Sequence, residues 1–388
     1  MDRQISLGGA IATVLVLSLS APDGANAQIA VSANDNKVLL VDGERTVPRN
    51  PEPDTVTIID LNGPKPKVMG ELQAPASVVG PPHSVAVAPD ESFALVTANQ
   101  KIDPTDPTKT LPDNKVTVID LQASPPKVLA TLQVGSGPSG VSINRADTLA
   151  LVANRNEGTV SIFTISGKTL TPAGKLQLGD TKSGPSDVAF TPDGRMALVT
   201  RDGDHKVSIL AIDGAKVEDT KHLMVGGIRP YAIGITPKGD VAVIGTQGGG
   251  TGDNDVVDIV DLKSNPPRIV SSITVGPQVE GVAMAPDGRF VALTVTNYSD
   301  RAASFPFFSP HGLLKIYGLN GTQLVPVAQI EDGHWCQGAV WRRDGTEILV
   351  QCMVEREIQV FDFDGHQLKE AGAIKVDGGP AGIGTAAN

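Results

Sequence analysis

Residues Gly184 to Ile212 read GPSDVAFTPDGRMALVTRDGDHKVSILAI, and this stretch decides the fold. It contains three short strands: Asp187 to Phe190, Met196 to Thr200 and Lys206 to Leu210. Pro192-Asp193-Gly194-Arg195 forms the first turn, because Pro presets φ while Asp and Gly accept the positive φ of a tight hairpin. Asp202-Gly203-Asp204 forms the second. Val, Ile, Leu and Phe fill the strands, and no apolar run is long enough for a helix.

The unit recurs along the chain. Anchored on the first apolar residue of its first strand, it starts at Ile29, Val85, Val141, Val188, Ile233, Val282 and Ala339, at spacings of 45 to 57 residues. Each copy continues into a third strand, such as DTVTIIDL, NKVTVIDL or HKVSILAI, and a weaker fourth. Seven copies of about four antiparallel strands predict an all-β, seven-bladed β-propeller over residues 28–388.

Residues 1–27 read as a secretory signal. Arg3 gives a weak basic start, Ile11 to Leu19 a short apolar core, and Ala25-Asn26-Ala27 a cleavage pattern before Gln28. The apolar run is too short to span a bilayer, so the expected location is periplasmic or secreted. No other stretch could cross a membrane. A net charge of −11 and a pI near 5 exclude nucleic acid as the main partner, which would need a basic surface.

Four repeats carry long connections between their second and third strands: Gly43 to Asp54, Asn99 to Asn114, Gln247 to Asp255 and Asn297 to Gly312. In a four-stranded blade these connections share one face with the links between blades. That face is expected to bind a small polar ligand or a protein. Phe305, Phe307 and Phe308 add apolar bulk to one of the loops. At the other end of the chain, Gly378-Gly379-Pro380-Ala381-Gly382-Ile383-Gly384 resembles the start of a first strand, as in Gly137-Pro138-Ser139-Gly140-Val141. It is either a tail or the strand that closes the ring.

Cys336 and Cys352 are the only cysteines, equidistant from Asp344 on the two arms of the last copy's hairpin. That register sets them opposite each other, within disulfide reach in an oxidising compartment.

The position two before each anchor rings the mouth of the central channel. It holds His83, Ser139, Ser186, Tyr231, Glu280 and Gln337, with Asp187 one residue on and Arg229 and His334 just upstream. A polar, charge-mixed set that differs in every blade suits a small polar ligand or acid–base work. His83, Asp187, Arg229, Tyr231, Glu280, His334 and Gln337 are the candidate ligand-binding residues, with His83, Glu280 and Arg229 the candidate catalytic ones. No motif names a cofactor, and no residue set has metal-ligand spacing.

Blocks such as GPSDVAFTPDGRMALVT followed by VSIL resemble the YVTN-type β-propeller repeat over nearly all of the chain. That resemblance implies kinship with exported propellers and with lactonases that open 6-phosphogluconolactone. ALVTAN, ALVANR and ALVTRD carry Leu where the family's box has an aromatic, and no lactonase motif matches residue by residue. The leading expectation is therefore a non-catalytic exported propeller binding on its long-loop face. The alternative is a lactonase-like hydrolase at the channel mouth.

Overall fold

The computed structural model describes Met1 and residues 28–386, so the secretory signal expected at 1–27 falls, Met1 apart, outside the described residues. Seven four-stranded antiparallel sheets follow one another around a ring. The stretch from Gly184 forms the inner three strands of blade four, at Pro185–Phe190, Met196–Arg201 and Lys206–Asp213, with Lys216–Met224 outermost. Its first turn closes through Gly194 N–H donating to Thr191 O at 2.8 Å. Strands at the middle of a blade are covered on both faces by neighbouring blades, so their Val, Ile and Leu runs need no alternation. Outermost strands alternate instead: Lys67–Gln73 and Lys127–Gln133 are exposed at every other position or more. The core lies between blades, as where Phe93 and Val116 of blade two meet Val141 and Phe163 of blade three.

Blade one is built differently from the repeat reading above. Its sheet runs Gly379–Thr385, Ile29–Asp35, Thr55–Asp60, Lys67–Gln73 from the axis outwards. The C-terminal segment is thus the inner strand, and Ile29 begins the second strand, not the first. The correction has a physical reason. IAVSAND is buried at every position and matches the second-strand blocks ALVTAN and ALVANR, whereas GPAGI matches the glycine-bounded first strands. Leu39–Val41 pairs with Glu44–Thr46 in a separate two-stranded hairpin. The blade-two insertion is also more ordered than a loop: its strands extend to Phe93–Ile102 and Thr110–Asp120, leaving only a short turn.

In blade seven, Cys336 pairs with Cys352 across Cys336–Trp341 and Glu347–Cys352, and the two sulfurs are bonded. Among the described residues no helix is long and apolar enough to cross a membrane.

Candidate active site at the channel mouth

One repeat position builds most of the site. In blades three to seven the residue four before the anchor turns the chain into the inner strand with a positive φ. Blades three and four use glycine there, at Gly137 (φ 65°) and Gly184 (φ 60°). Blades five, six and seven hold Arg229 (φ 56°), Gln278 (φ 59°) and Trp335 (φ 49°) in the same left-handed conformation. Large side chains are uncommon in that region, and their persistence costs about 1 kcal/mol or more each. All three line a single cavity of ≈ 480 Å³ on the long-loop face. The position two residues further on adds Tyr231, Glu280 and Gln337 to the same wall, and Arg155 enters from blade three.

Glu280 is the chemical centre of this cavity. Its side chain is buried, and Oε2 has no hydrogen-bond partner. Burial and the nearby charge of Asp300 push its carboxyl up to about 7, against the pull of Arg229 and hydrogen bonds from Gln247 and Trp335. Asp300 is itself raised, chiefly by burial, with Arg301 and Arg45 acting the other way. Arg229 Nη2 donates to Gln247 Oε1 at 3.1 Å and lies 3.9 Å from Asp202 Oδ2, which also pairs with Arg155. Arg155 sits over the Tyr231 ring at 5.9 Å, and burial raises the Tyr231 phenol so that it stays protonated. Gln278 and Gln337, with their amides turned to satisfy both ends, bridge Asp300 to Arg301 and Trp335 to Ala381 O.

The structure thus brings Arg229, Tyr231, Glu280 and Gln337 together and sets three other candidates apart. His83 and Asp187 face each other deeper in the channel, Nδ1 to Oδ2 at 2.6 Å. Asp187 is fixed there by the N–H groups of Val188 and Ile233, both at 2.8 Å. Burial opposes a charge on His83, but the Asp187 carboxylate and the Val282 carbonyl outweigh it and raise the imidazole. Beyond this pair the channel widens into a second cavity of ≈ 300 Å³, walled mainly by Val, Ile, Phe190, Met284 and Trp341. His334 turns away from the polar cavity, and its Nδ1–H donates to Glu355 Oε1 at 2.5 Å. Among the described residues no three His, Cys, Asp or Glu side chains converge as a metal site.

Arg155, Gln247, Gln278, Asp300 and Arg301 were missing from the sequence reading. The strained position offered a signal for Gln278, since glycine stands at the matching place in blades three and four. The other four come from connections between second and third strands, whose reach over the mouth no repeat alignment records. On the long-loop face, Phe305 packs on Tyr298 at 5.1 Å and on Phe307 at 5.8 Å, and of the three phenylalanines Phe307 is exposed, at 54%, while Phe305 and Phe308 are half-buried.

No protein-family model matches the chain, and no curated protein matches it. Among solved structures it is similar to a putative 6-phosphogluconolactonase from Bacteroides uniformis, with 16% identity, a TM-score of 0.70, and coverage of 93% of this chain and 99% of that one. It is similar to the periplasmic gluconolactonase of Pseudomonas aeruginosa at 15% identity and a TM-score of 0.65, over 92% and 98% of the two chains. A functionally unknown protein from Desulfotomaculum acetoxidans aligns at 15% and 0.68, over 92% and 98%. At such identities the likeness is one of fold alone, a seven-bladed β-propeller.

Proposed function

We propose that the chain is a hydrolase of lactones acting in the polar cavity at the channel mouth. The observation that carries this is Glu280: a buried carboxyl with one unpartnered oxygen, titrating near 7 beside Arg229. A base works best when its pKa lies near the working pH. In this reading the Glu280 carboxylate takes a proton from water as the water oxygen attacks the lactone carbonyl. Arg229 N–H groups hold the developing oxyanion. The ring C–O bond then breaks, and the leaving alkoxide takes the proton back from Glu280, giving the hydroxy acid. Tyr231 and Gln337 supply donors and acceptors for the substrate hydroxyls.

The lactonase-like solved structures and the YVTN-type repeat pattern support the same kinship. Export to a periplasmic or extracellular space is part of the proposal. It is supported by the segment at 1–27, by the cysteine pair, and by a structural relative described as periplasmic.

Acid release from a panel of sugar lactones tests the reading. Turnover should rise with pH through about 7, and Glu280→Gln should reduce kcat by about 10²–10⁴. A wild-type protein inert on the panel, or a variant as active as wild type, would sink it. The exposed Phe307 favours a second reading, capture of a ligand or protein on this face without chemistry. Calorimetry showing binding to an inert wild-type protein would put that reading first.

A further inference from the structure

The connection between the second and third strands of blade one does not lie flat on its own blade. Leu39–Val41 and Glu44–Thr46 pair as a hairpin, and Asp42 (φ 50°) and Gly43 (φ 76°) make its turn with two successive left-handed residues. The base of the hairpin is firmly held. Val38, with Leu40 against it, packs on Val78, Trp335 and Met353. The buried Lys37 ammonium bonds Asp54 Oδ2 at 2.8 Å, and Asp35 accepts from the Lys37 and Val38 N–H groups.

The tip reaches further. A Cβ placed on Gly43 would fall inside the backbone of Arg301 and Ala302, in the insertion of blade six. The hairpin therefore passes blade seven and meets an insertion that starts on the far side of it. Leu40, Gly43 and Arg45 from one side and Asp300 and Arg301 from the other wall the polar cavity. The arms are short and belong to none of the seven blade sheets, and Val41 and Glu44–Thr46 are exposed. A two-stranded ribbon of this size is marginal on its own, so the tip contact decides where it rests.

We propose that this hairpin is a lid with Gly43 as its latch, and that the lid determines specificity by limiting the size of molecule that reaches Glu280. The proposal rests on the cavity being the ligand site, and its test does not depend on turnover. Only a residue without a side chain can take the left-handed turn and touch the Arg301–Ala302 backbone together. A larger residue must lift the tip, and the rim then opens while the base stays packed.

Trp335 reports the state of the lid. It lines the cavity and is 5% exposed, and the one other tryptophan, Trp341, lines the apolar cavity on the opposite side of the channel. Fluorescence quenching by acrylamide and by a bulky nitroxide is compared in wild type, in Gly43→Val and in a variant with residues 39–46 replaced by a short Gly-Ser linker. Wild type should admit acrylamide in clear preference to the nitroxide. Both variants should lose that preference, with nitroxide quenching rising several-fold, and Trp335→Phe in the linker background should abolish the rise. The linker variant removes the turn altogether, so it decides the matter if Gly43→Val does not fold. The proposal is overturned if the linker variant quenches as wild type does, or if a folded Gly43→Val keeps the wild-type preference. A protein inert on lactones changes neither readout, so failure of the hydrolase reading and failure of the lid are told apart.

Discussion

Glu280 and Arg229 each work against the stability of the fold, and that conflict is measurable. Folding lifts the Glu280 carboxyl from about 4.5 in the open chain to about 7. The folded state therefore holds the proton more tightly, and the cost of ionising it grows as pH rises from 4.5 to 7 and is constant above. Such a shift corresponds to about 3 kcal/mol. Glu280→Gln should then raise the melting temperature at pH 8 and hardly alter it at pH 4, while removing turnover. A variant destabilised equally at both pH values would refute the assignment. Arg229 makes a parallel case. Its left-handed backbone suits glycine, so Arg229→Gly should melt close to wild type although it loses contacts to Gln247 and Asp202. Lactone turnover should fall by about 10²–10³, the usual effect of removing one oxyanion donor. An active variant would free Arg229 from the mechanism. Both residues could be read in the sequence because they stand at or just before the entrance to an inner strand, where the scaffold repeats but the side chain differs from blade to blade. His334 was misplaced by the same logic. It stands one residue upstream of the strained position, where the turn aims its side chain at Glu355 rather than at the axis.

Single elements were legible where turn chemistry and burial agree. Asp-Gly turns mark the first hairpins of blades four, six and seven, at Asp193-Gly194, Asp287-Gly288 and Asp344-Gly345, and the blade-seven hairpin placed Cys336 opposite Cys352 from turn position alone. That pairing carries its own prediction. The bond spans 16 residues of sequence and closes a short loop, worth about 3 kcal/mol in the chain-entropy model. Cys352→Ala together with Cys336→Ala should lower the melting temperature of the oxidised protein by several degrees. Peptide mapping without reductant should find the two cysteines linked in the wild type, and two alkylatable thiols would show that the compartment was misjudged. The insertions were harder to read. Asn99–Asn114 looked like a loop because its Pro, Asp and Thr residues are turn formers, yet its backbone continues the ladder to Ile102 and Thr110. The lid hairpin hid behind a similar problem. KVLLVDGERT carries the short apolar run of a blade strand, and only pairing partners distant in sequence tell a blade from a ribbon laid over one.

At the scale of the whole molecule, the decisive contact joins the first and last strands of the described residues. Gly379–Thr385 supplies the inner strand of blade one and pairs with Ile29–Asp35 from Ala30↔Thr385 to Asp35↔Gly379. Local patterns could not choose between a tail and this closure, because both readings leave the same apolar residues buried. The choice depends on a strand edge. Without the C-terminal strand, Ile29–Asp35 would present unpaired N–H and C=O groups to the channel, and an exposed edge of that kind recruits other chains. Closure also satisfies side chains of blade seven, since Gln351 Nε2 donates to Gly382 O at 2.9 Å and to Ser32 Oγ at 2.7 Å. Across the axis, His83, Asp187, the Ile233 N–H and the Val282 carbonyl tie four further blades together, so opening one seam loosens a ring braced at its centre. A chain ending at Asp377 should therefore lose its single cooperative melt and associate through the free edge, whereas one ending at Ala386 should melt as the full chain does. A synthetic peptide of residues 377–386, added in excess, should restore the transition by filling the vacant place in the sheet. If the shorter chain unfolds at the full-length temperature and stays monomeric in sedimentation, the ring does not depend on its last strand, and the seam lies elsewhere.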